Sequence, residues 1–213
     1  MGFAHTTRRG DKQTVARRGG TQPSPISKVD VVEAALRVVA RSSLQQLTVR
    51  EVAEECGVTA PAIHYHLRGG ADLADRVVEA VAAQIEVRVD PDASWIDQYL
   101  ELVLAMDRAF LAYPGTGLHT LTSAGPSAAA TRLTDTALDI LRRAGFTEDV
   151  AVQTFTATYL MFVGWLATRS HADSDAIHPA LAAAGATGLG RDGGEPLEAA
   201  MRRVLINAQG GTP

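Results

Sequence analysis

TVREVAEECGVTAPAIHYHL, residues 48–67, reads as two short helices joined by a tight turn. Thr48 and Glu51 form an S/T-x-x-E capping box, in which each side chain satisfies a free backbone donor at a helix start. Val49, Val52, Ala53 and Cys56 recur at i, i+3, i+4 and i+7 and give one apolar face about two turns long. Gly57 follows where a helix ends at least cost in a left-handed residue. Val58 is an apolar plug for the turn, and Thr59 is placed to cap a second helix with Pro61 in its first turn. Two short helices joined by a glycine-containing turn are the geometry that lays a second helix in a DNA major groove. A generic αα-hairpin fits the same local signals, so the flanking sequence has to separate the two.

Upstream, Val32, Ala35, Leu36 and Val39 line an amphipathic helix of about 29–42, with Ser27 and Asp30 as a weaker capping box. Downstream, Leu73, Val77, Val78 and Val81 begin a longer helix through about residue 88. With these flanks the chain resembles the tetracycline-repressor (TetR) family of transcriptional regulators. The likeness is carried by AALxVxA, then TVREVAEECGV, then PAIHYHL, then LADRVV, over residues 31–81. It implies an all-α protein, with an N-terminal three-helix helix-turn-helix DNA-binding domain and an antiparallel helical domain for ligand binding and dimerisation. The divisions expected are a disordered basic arm at 1–27, the DNA-binding domain at 28–75 and the regulatory domain at 76–213.

Composition agrees. A chain of 213 residues with 46% hydrophobic side chains is able to bury a real core. No run of 18 apolar residues is present, and the basic N-terminus has no apolar stretch of the secretory kind. One cysteine excludes an internal disulfide and fits a reducing cytoplasm. Cys56 is read as a small apolar residue of the helix-turn-helix rather than as a redox sensor. Of the 20 basic residues, 18 are arginine.

The net charge of −4 looks unsuited to DNA until it is divided along the chain. Residues 1–70 hold ten basic and six acidic side chains, a balance of +4, while residues 71–213 hold ten and eighteen, a balance of −8. Phosphate attracts only the surface that faces it, so this asymmetry points to a nucleic-acid partner. Arg8, Arg9, Lys12, Arg17, Arg18 and Lys28 stand in the first 28 residues against Asp11 alone. Such an arm settles along phosphates or into a narrow minor groove.

Placing Ile63 inward sets the phase of the second helix. Thr59, Ala60, His66 and Leu67 then lie toward its side, Pro61, Ala62 and Tyr65 point away, and His64 sits on the flank. The outward set has no Arg, Asn or Gln to grip a base edge with two hydrogen bonds. The resemblance implies DNA contacts at Thr59, Ala60, Ala62, His64 and Tyr65, with His66 near a phosphate. Thr48, Arg50 and Arg68 complete the candidate DNA-binding residues. The chain departs from the family where His64 occupies the usual Tyr position and where Ala60 and Gly70 stand in place of Lys. Arg68, Arg50 and the basic arm are the expected replacements for those phosphate contacts.

Beyond residue 90 the pattern stays helical, with segments expected at about 94–112, 115–122, 127–144, 149–166 and 196–208, and a short helix within the Ala-, Gly- and Pro-rich stretch near 176–184. No strand is expected. The motifs LAYPG, ALDILRRAGF and VGWL over residues 95–170 resemble the regulatory domain of the tetracycline-repressor subclass. This implies a small-molecule pocket inside the domain and a dimer built from the last two long helices. Ala151–Leu166 is apolar around most of its circumference, more than one core requires, which points to an interface as well. Candidate ligand-binding residues are Trp95, Tyr99, Met106, Phe110, His119, Phe155, Tyr159, Phe162 and Trp165, each of which also serves as ordinary core.

His119 falls where tetracycline-binding members place a magnesium-linked histidine, followed by Thr122. The acidic partner expected near the end of the long helix is replaced by Thr168. One histidine without a carboxylate is a poor site for a hard cation, so no metal and no cofactor is expected. GLGRDG at 188–193 matches G-x-G-x-x-G, but no strand precedes it, and no Walker loop, HExxH, CxxC or GxSxG is present. The expectation is a non-enzymatic, cytoplasmic, homodimeric repressor. It binds a palindromic double-stranded DNA operator and is released by a small apolar or amphipathic effector. A helical DNA-binding or architectural protein without ligand response is the competing class, and a packed regulatory domain would favour it.

Overall fold

The computed structural model describes residues 26–67, 69–122, 127–169, 179–185 and 194–210, and no strand occurs among them. The basic arm at 1–25, Arg68 and the glycine-rich 188–193 stretch lie outside the described residues.

Helix α1 (Lys28–Arg41) starts at the Ser27 capping box: the Asp30 amide donates to Ser27 Oγ at 3.2 Å and the Ser27 amide donates to Asp30 Oδ2 at 2.8 Å. Its buried face is Val31, Ala34, Ala35, Val38 and Val39. The expected face was rotated slightly from this one, since Val32 and Leu36 flank the core instead of entering it. A 3-10 turn at Leu44–Gln46 leads to α2 (Val49–Cys56), opened by Thr48 and Glu51 as a complete capping box. Gly57 closes α2 at φ +67, the left-handed conformation that glycine adopts without a Cβ penalty. Helix α3 (Ala60–His64) is only five residues long. The helix gives way to a turn at Tyr65, and Thr59 makes no side-chain capping bond. Ile63 is fully buried and Leu67 nearly so, and α3 packs against α2.

Helix α4 (Gly70–Ala83) packs on α1 on one side and on the later helices on the other, so it carries the DNA-binding segment on the rest of the molecule. It ends at Ala83 rather than near residue 88. The residues that follow alternate buried Ile85, exposed Glu86, half-buried Val87, exposed Arg88 and half-buried Val89. That period of two, with β-branched side chains inward, suits extended backbone rather than helix. Arg132 closes the break by donating from Nη2 to the Ala82 and Ile85 carbonyls, both at 3.2 Å.

The remaining helices are α5 (Trp95–Ala112), α6 (Thr116–Thr122), α7 (Ala128–Arg143), α8 (Glu148–Arg169), α9 (Pro179–Ala183) and α10 (Glu195–Gly210). Ser94 and Ser127 cap α5 and α7 through the amides of Asp97 and Ala130. Glu79 of α4 accepts hydrogen bonds from the Ser127 hydroxyl and, at 3.1 Å, from the Ala129 amide, joining α4 to the start of α7. Helix α8 packs on α6, α7 and α10. Its Glu148–Thr168 stretch has a mean hydropathy of 1.4 and is long and apolar enough to cross a membrane by composition, although one face is fastened to these neighbours. The other face leaves Val152, Tyr159 and Leu160 in water, with Ile206 of α10 also exposed.

Candidate nucleic-acid interface and effector site

The DNA-facing candidates lie on α2, α3 and the turn after them. Thr48 has its hydroxyl occupied by the capping box, accepting from the Glu51 amide at 3.2 Å and donating to Glu51 Oε2 at 2.8 Å. Arg50 is 85% exposed and held by Glu54 at 3.0 Å, a solvated i,i+4 pair that leaves the guanidinium close to water. Thr59 and His64 are exposed, Ala60, Ala62 and His66 are half-buried, and Tyr65 is 88% exposed. The edge of the His66 ring meets Tyr65 with centroids 5.3 Å apart. The phase set by Ile63 therefore holds for Tyr65, Pro61 and Leu67. It differs at Thr59, which the absence of a capping bond leaves in solvent.

Sequence patterning missed how this motif is braced. Glu55 of α2 accepts from Arg37 at 2.8 Å and Arg41 at 2.7 Å, both on α1. These two guanidinium groups hold the Glu55 carboxyl below its ordinary range. The signal was present as three charges at helical spacing, but their facing becomes visible only once α1 and α2 cross. Cys56, half-buried, has its thiol pushed up by desolvation, the opposite of what a reactive thiolate needs.

The effector candidates divide into three groups. Tyr99, Phe110, Phe162 and Trp165 are buried between α5 and α8. The Tyr99 hydroxyl pairs with Thr158 Oγ1 at 2.7 Å, and Trp165 Nε1 donates to Asp107 Oδ1 at 2.7 Å. The direction from Tyr99 to Asp107 thus matches that from Thr158 to Trp165, so α5 and α8 run parallel. Phe110 and Phe162 lie between them at 6.3 Å. Burial pushes the Tyr99 phenol up to about 12, against the opposing effect of the Thr158 hydrogen bond. Asp107, a 5% exposed carboxylate in this apolar setting, was not singled out from sequence, because nothing in its neighbours marks it as inward.

Met106 is half-buried against the same core. Trp95 stands at the start of α5, edge-on to Phe146 at 5.1 Å. Phe155 tilts toward Tyr159 at 5.9 Å, and Tyr159 is 45% exposed on the outer face of α8, apart from the interior group. His119 faces α4: its Nε2 lies 2.9 Å from Asp75 Oδ1. A carboxylate from another helix thus meets His119, while Thr168, which stands where the family's metal-linked acid is missing, turns its hydroxyl back to the Trp165 carbonyl. Among the described residues no three His, Cys, Asp or Glu side chains gather as a metal site.

Two family models cover most of this architecture. The one described as bacterial regulatory proteins, tetR family, matches residues 31–77, and the tetracyclin repressor-like C-terminal domain matches residues 89–186. The chain belongs to the TetR family. Its members are regulators of transcription, and the residues matched by the first model run through α2 and α3 into α4. Tetracycline repressor protein class A from transposon 1721 of Escherichia coli is 31% identical to this TetR-family chain over 149 residues, 68% of each protein. A possible TetR family transcriptional regulator from Streptomyces coelicolor A3(2) superposes with a TM-score of 0.74 over 87% of this chain and all of its own, at 20% identity. The Streptomyces coelicolor protein ActR in complex with actinorhodin gives 0.70 over 89% and 98%, at 16% identity. A variant of TetR from Acinetobacter baumannii AYE in complex with minocycline gives 0.61 over 84% and 94%, at 25% identity.

Proposed function

We propose that this protein is a homodimeric repressor that binds a palindromic operator through α3 and the turn after it, and leaves it when a small apolar or amphipathic molecule wedges into the packing between α5 and α8. The observation that carries the reading is the presence of two outward surfaces: Tyr65, 88% exposed in the turn that closes α3, and the apolar face of α8, with Leu160 63% exposed. The first is an amphipathic side chain suited to a base edge or sugar, and the second is an apolar face suited to a two-fold partner. The similar structures in complex with actinorhodin and with minocycline support a small-molecule effector. The aromatic side chains Phe110, Phe162 and Trp165, with Tyr99 and Asp107 as polar points, suit a ligand that is mostly apolar.

The DNA contacts come from Arg50, Thr59, His64, Tyr65 and His66, with Arg68 and the basic arm supplying charge. Residues 28–75 form the DNA-binding unit and 76–213 the regulatory one, with α4 spanning the division. The protein works in the cytoplasm, where its operator is. Size-exclusion with light scattering, followed by footprinting on a duplex selected from a random pool, tests the reading. A dimer protecting two half-sites about one helical turn apart is expected. A monomer, or protection without a dyad, overturns it.

A further inference from the structure

The folded helix-turn-helix carries its own counterions. Arg37 and Arg41 of α1 both hold Glu55, at 2.8 Å and 2.7 Å, and Arg50 of α2 holds Glu54 at 3.0 Å. Glu51 accepts from the Thr48 amide, and the Ser27 hydroxyl and amide hold the Asp30 carboxyl below its ordinary range. Over residues 26–67 four basic side chains, Lys28 being the fourth, stand against five acidic ones, a balance of −1. Arg68 brings that balance only to zero. A guanidinium that turns from its carboxylate to a phosphate leaves the carboxylate behind as a like charge, so these pairs add little net attraction for a polyanion. The whole surplus of +4 found in residues 1–70 lies in residues 1–25, as Arg8, Arg9, Lys12, Arg17 and Arg18 against Asp11.

The point at which this charge joins the fold is well defined. Ile26 packs on the core and Ser27 caps α1, so the arm meets the folded frame at residue 26. The Cys56 thiol donates toward the Asp30 carbonyl at 4.0 Å, which sets the first turn of α1 against the last turn of α2, one residue before Gly57. The arm therefore joins the frame beside the turn from which α3 departs. Twenty-five residues span about 80 Å when extended, against about 34 Å for one turn of duplex. Phosphates on both sides of a half-site are within that reach.

We propose that residues 1–25 are the protein's main electrostatic contact with DNA, engaging duplex phosphates outside the half-site, while the near-neutral helix-turn-helix supplies the sequence choice. The proposal rests on the DNA-binding reading above and adds a division of labour to it. Phosphate contacts raise affinity on any sequence and carry no base information of their own. Loss of the arm therefore lowers affinity for operator and random DNA together and spares the ratio between them.

The experiment is fluorescence anisotropy across a salt series, on a duplex selected by the native protein and on a scrambled duplex of the same composition. The full chain is compared with a chain beginning at Ile26, which keeps the Ser27 cap and should leave circular dichroism unaltered. In the truncated chain, binding to both duplexes should weaken by about tenfold or more at about 0.1 M salt, with their ratio kept within about threefold. The log–log salt slope should become shallower by about two units or more, each neutralised phosphate contributing about 0.9. A full-length chain carrying Arg8→Gln, Arg9→Gln, Lys12→Gln, Arg17→Gln and Arg18→Gln together should match the truncation, which assigns the effect to charge rather than length. Should the truncated chain fold poorly, the glutamine variant alone decides. A native salt slope in the glutamine variant overturns the proposal, as does a loss confined to the selected duplex. Failure of the native chain to prefer any selected duplex over its scrambled form overturns the DNA-binding reading itself.

Discussion

Tyr65, in the turn that closes α3, is 88% exposed and Leu160 on α8 is 63% exposed, and the two helices hold these side chains outward by opposite means. Helix α3 has five residues, far fewer than an isolated helix needs in water. It exists because Ile63 and Leu67 are anchored beneath it and Gly57 sets the angle at which the chain enters. Helix α8 has 22 residues and is apolar on nearly every side, so its shape is secure and its surface is in excess. The outward residues of the helix-turn-helix are His64, Tyr65 and Arg50, groups that keep hydrogen-bonding capacity in water. Those of α8 are Val152, Tyr159 and Leu160. Under the proposed function the first surface meets a hydrated polyanion and the second a copy of itself.

The largest effect should come from charging the second surface. Leu160→Glu is expected to convert dimer to monomer, at a cost of about 3 kcal/mol or more for two uncompensated carboxylates at a two-fold interface. Light scattering reads the mass directly, and an unchanged dimer would place the interface elsewhere. On the first surface, Tyr65→Ala should weaken operator binding by about 1–3 kcal/mol and leave circular dichroism unaltered. Unchanged affinity would mean that Tyr65 contributes nothing to the complex.

Two smaller effects separate long-range from local support. Unfolded tyrosine titrates near 10, whereas burial raises Tyr99 to about 12. The folded chain keeps the proton over the interval in which the unfolded chain has lost it. Stability from this group is therefore whole below about pH 10 and falls away as pH rises toward about 12. Tyr99→Phe should flatten that part of a urea-unfolding profile and, at neutral pH, cost about 1 kcal/mol by removing the bond to Thr158. A profile as steep as the native one would assign the decline to other groups. Thr48→Ala should cost about 1 kcal/mol by opening the α2 capping box. Thermal melts would detect it, and no shift would show that α2 is held by Glu55 and packing alone.

The same division explains what was legible in the sequence. Ser27–Asp30, Thr48–Glu51 and Gly57 act within one or two turns, and each did in three dimensions what its spacing predicted. The end of α4 was misjudged because Val77, Val78 and Val81 continue smoothly into Ile85 and Val87. Only the change from a period of 3.6 to one of 2 marks the break. Thr59 has the right residue type for a cap but not the bond. His119 was read against a carboxylate from the far end of α8, and the partner it has, Asp75, comes from a helix 44 positions earlier. Tyr159 carries the same aromatic signature as Phe162, and only the packing of α8 separates a residue facing out from one facing in. Asp107 is the extreme case, a charged residue made interior by an indole 58 positions away.

The anchoring of α3 has a consequence for how this regulator could change its target. The residues that hold the helix, Ile63 and Leu67, are buried, while Pro61, His64 and Tyr65 are exposed and make no part of the core. Exposed substitutions of this kind shift folding stability by about 0.5 kcal/mol or less. Operator preference can therefore drift, or be redesigned, one outward residue at a time while the scaffold stays folded at every step. Five residues carry both duties, and the duties fall on different side chains.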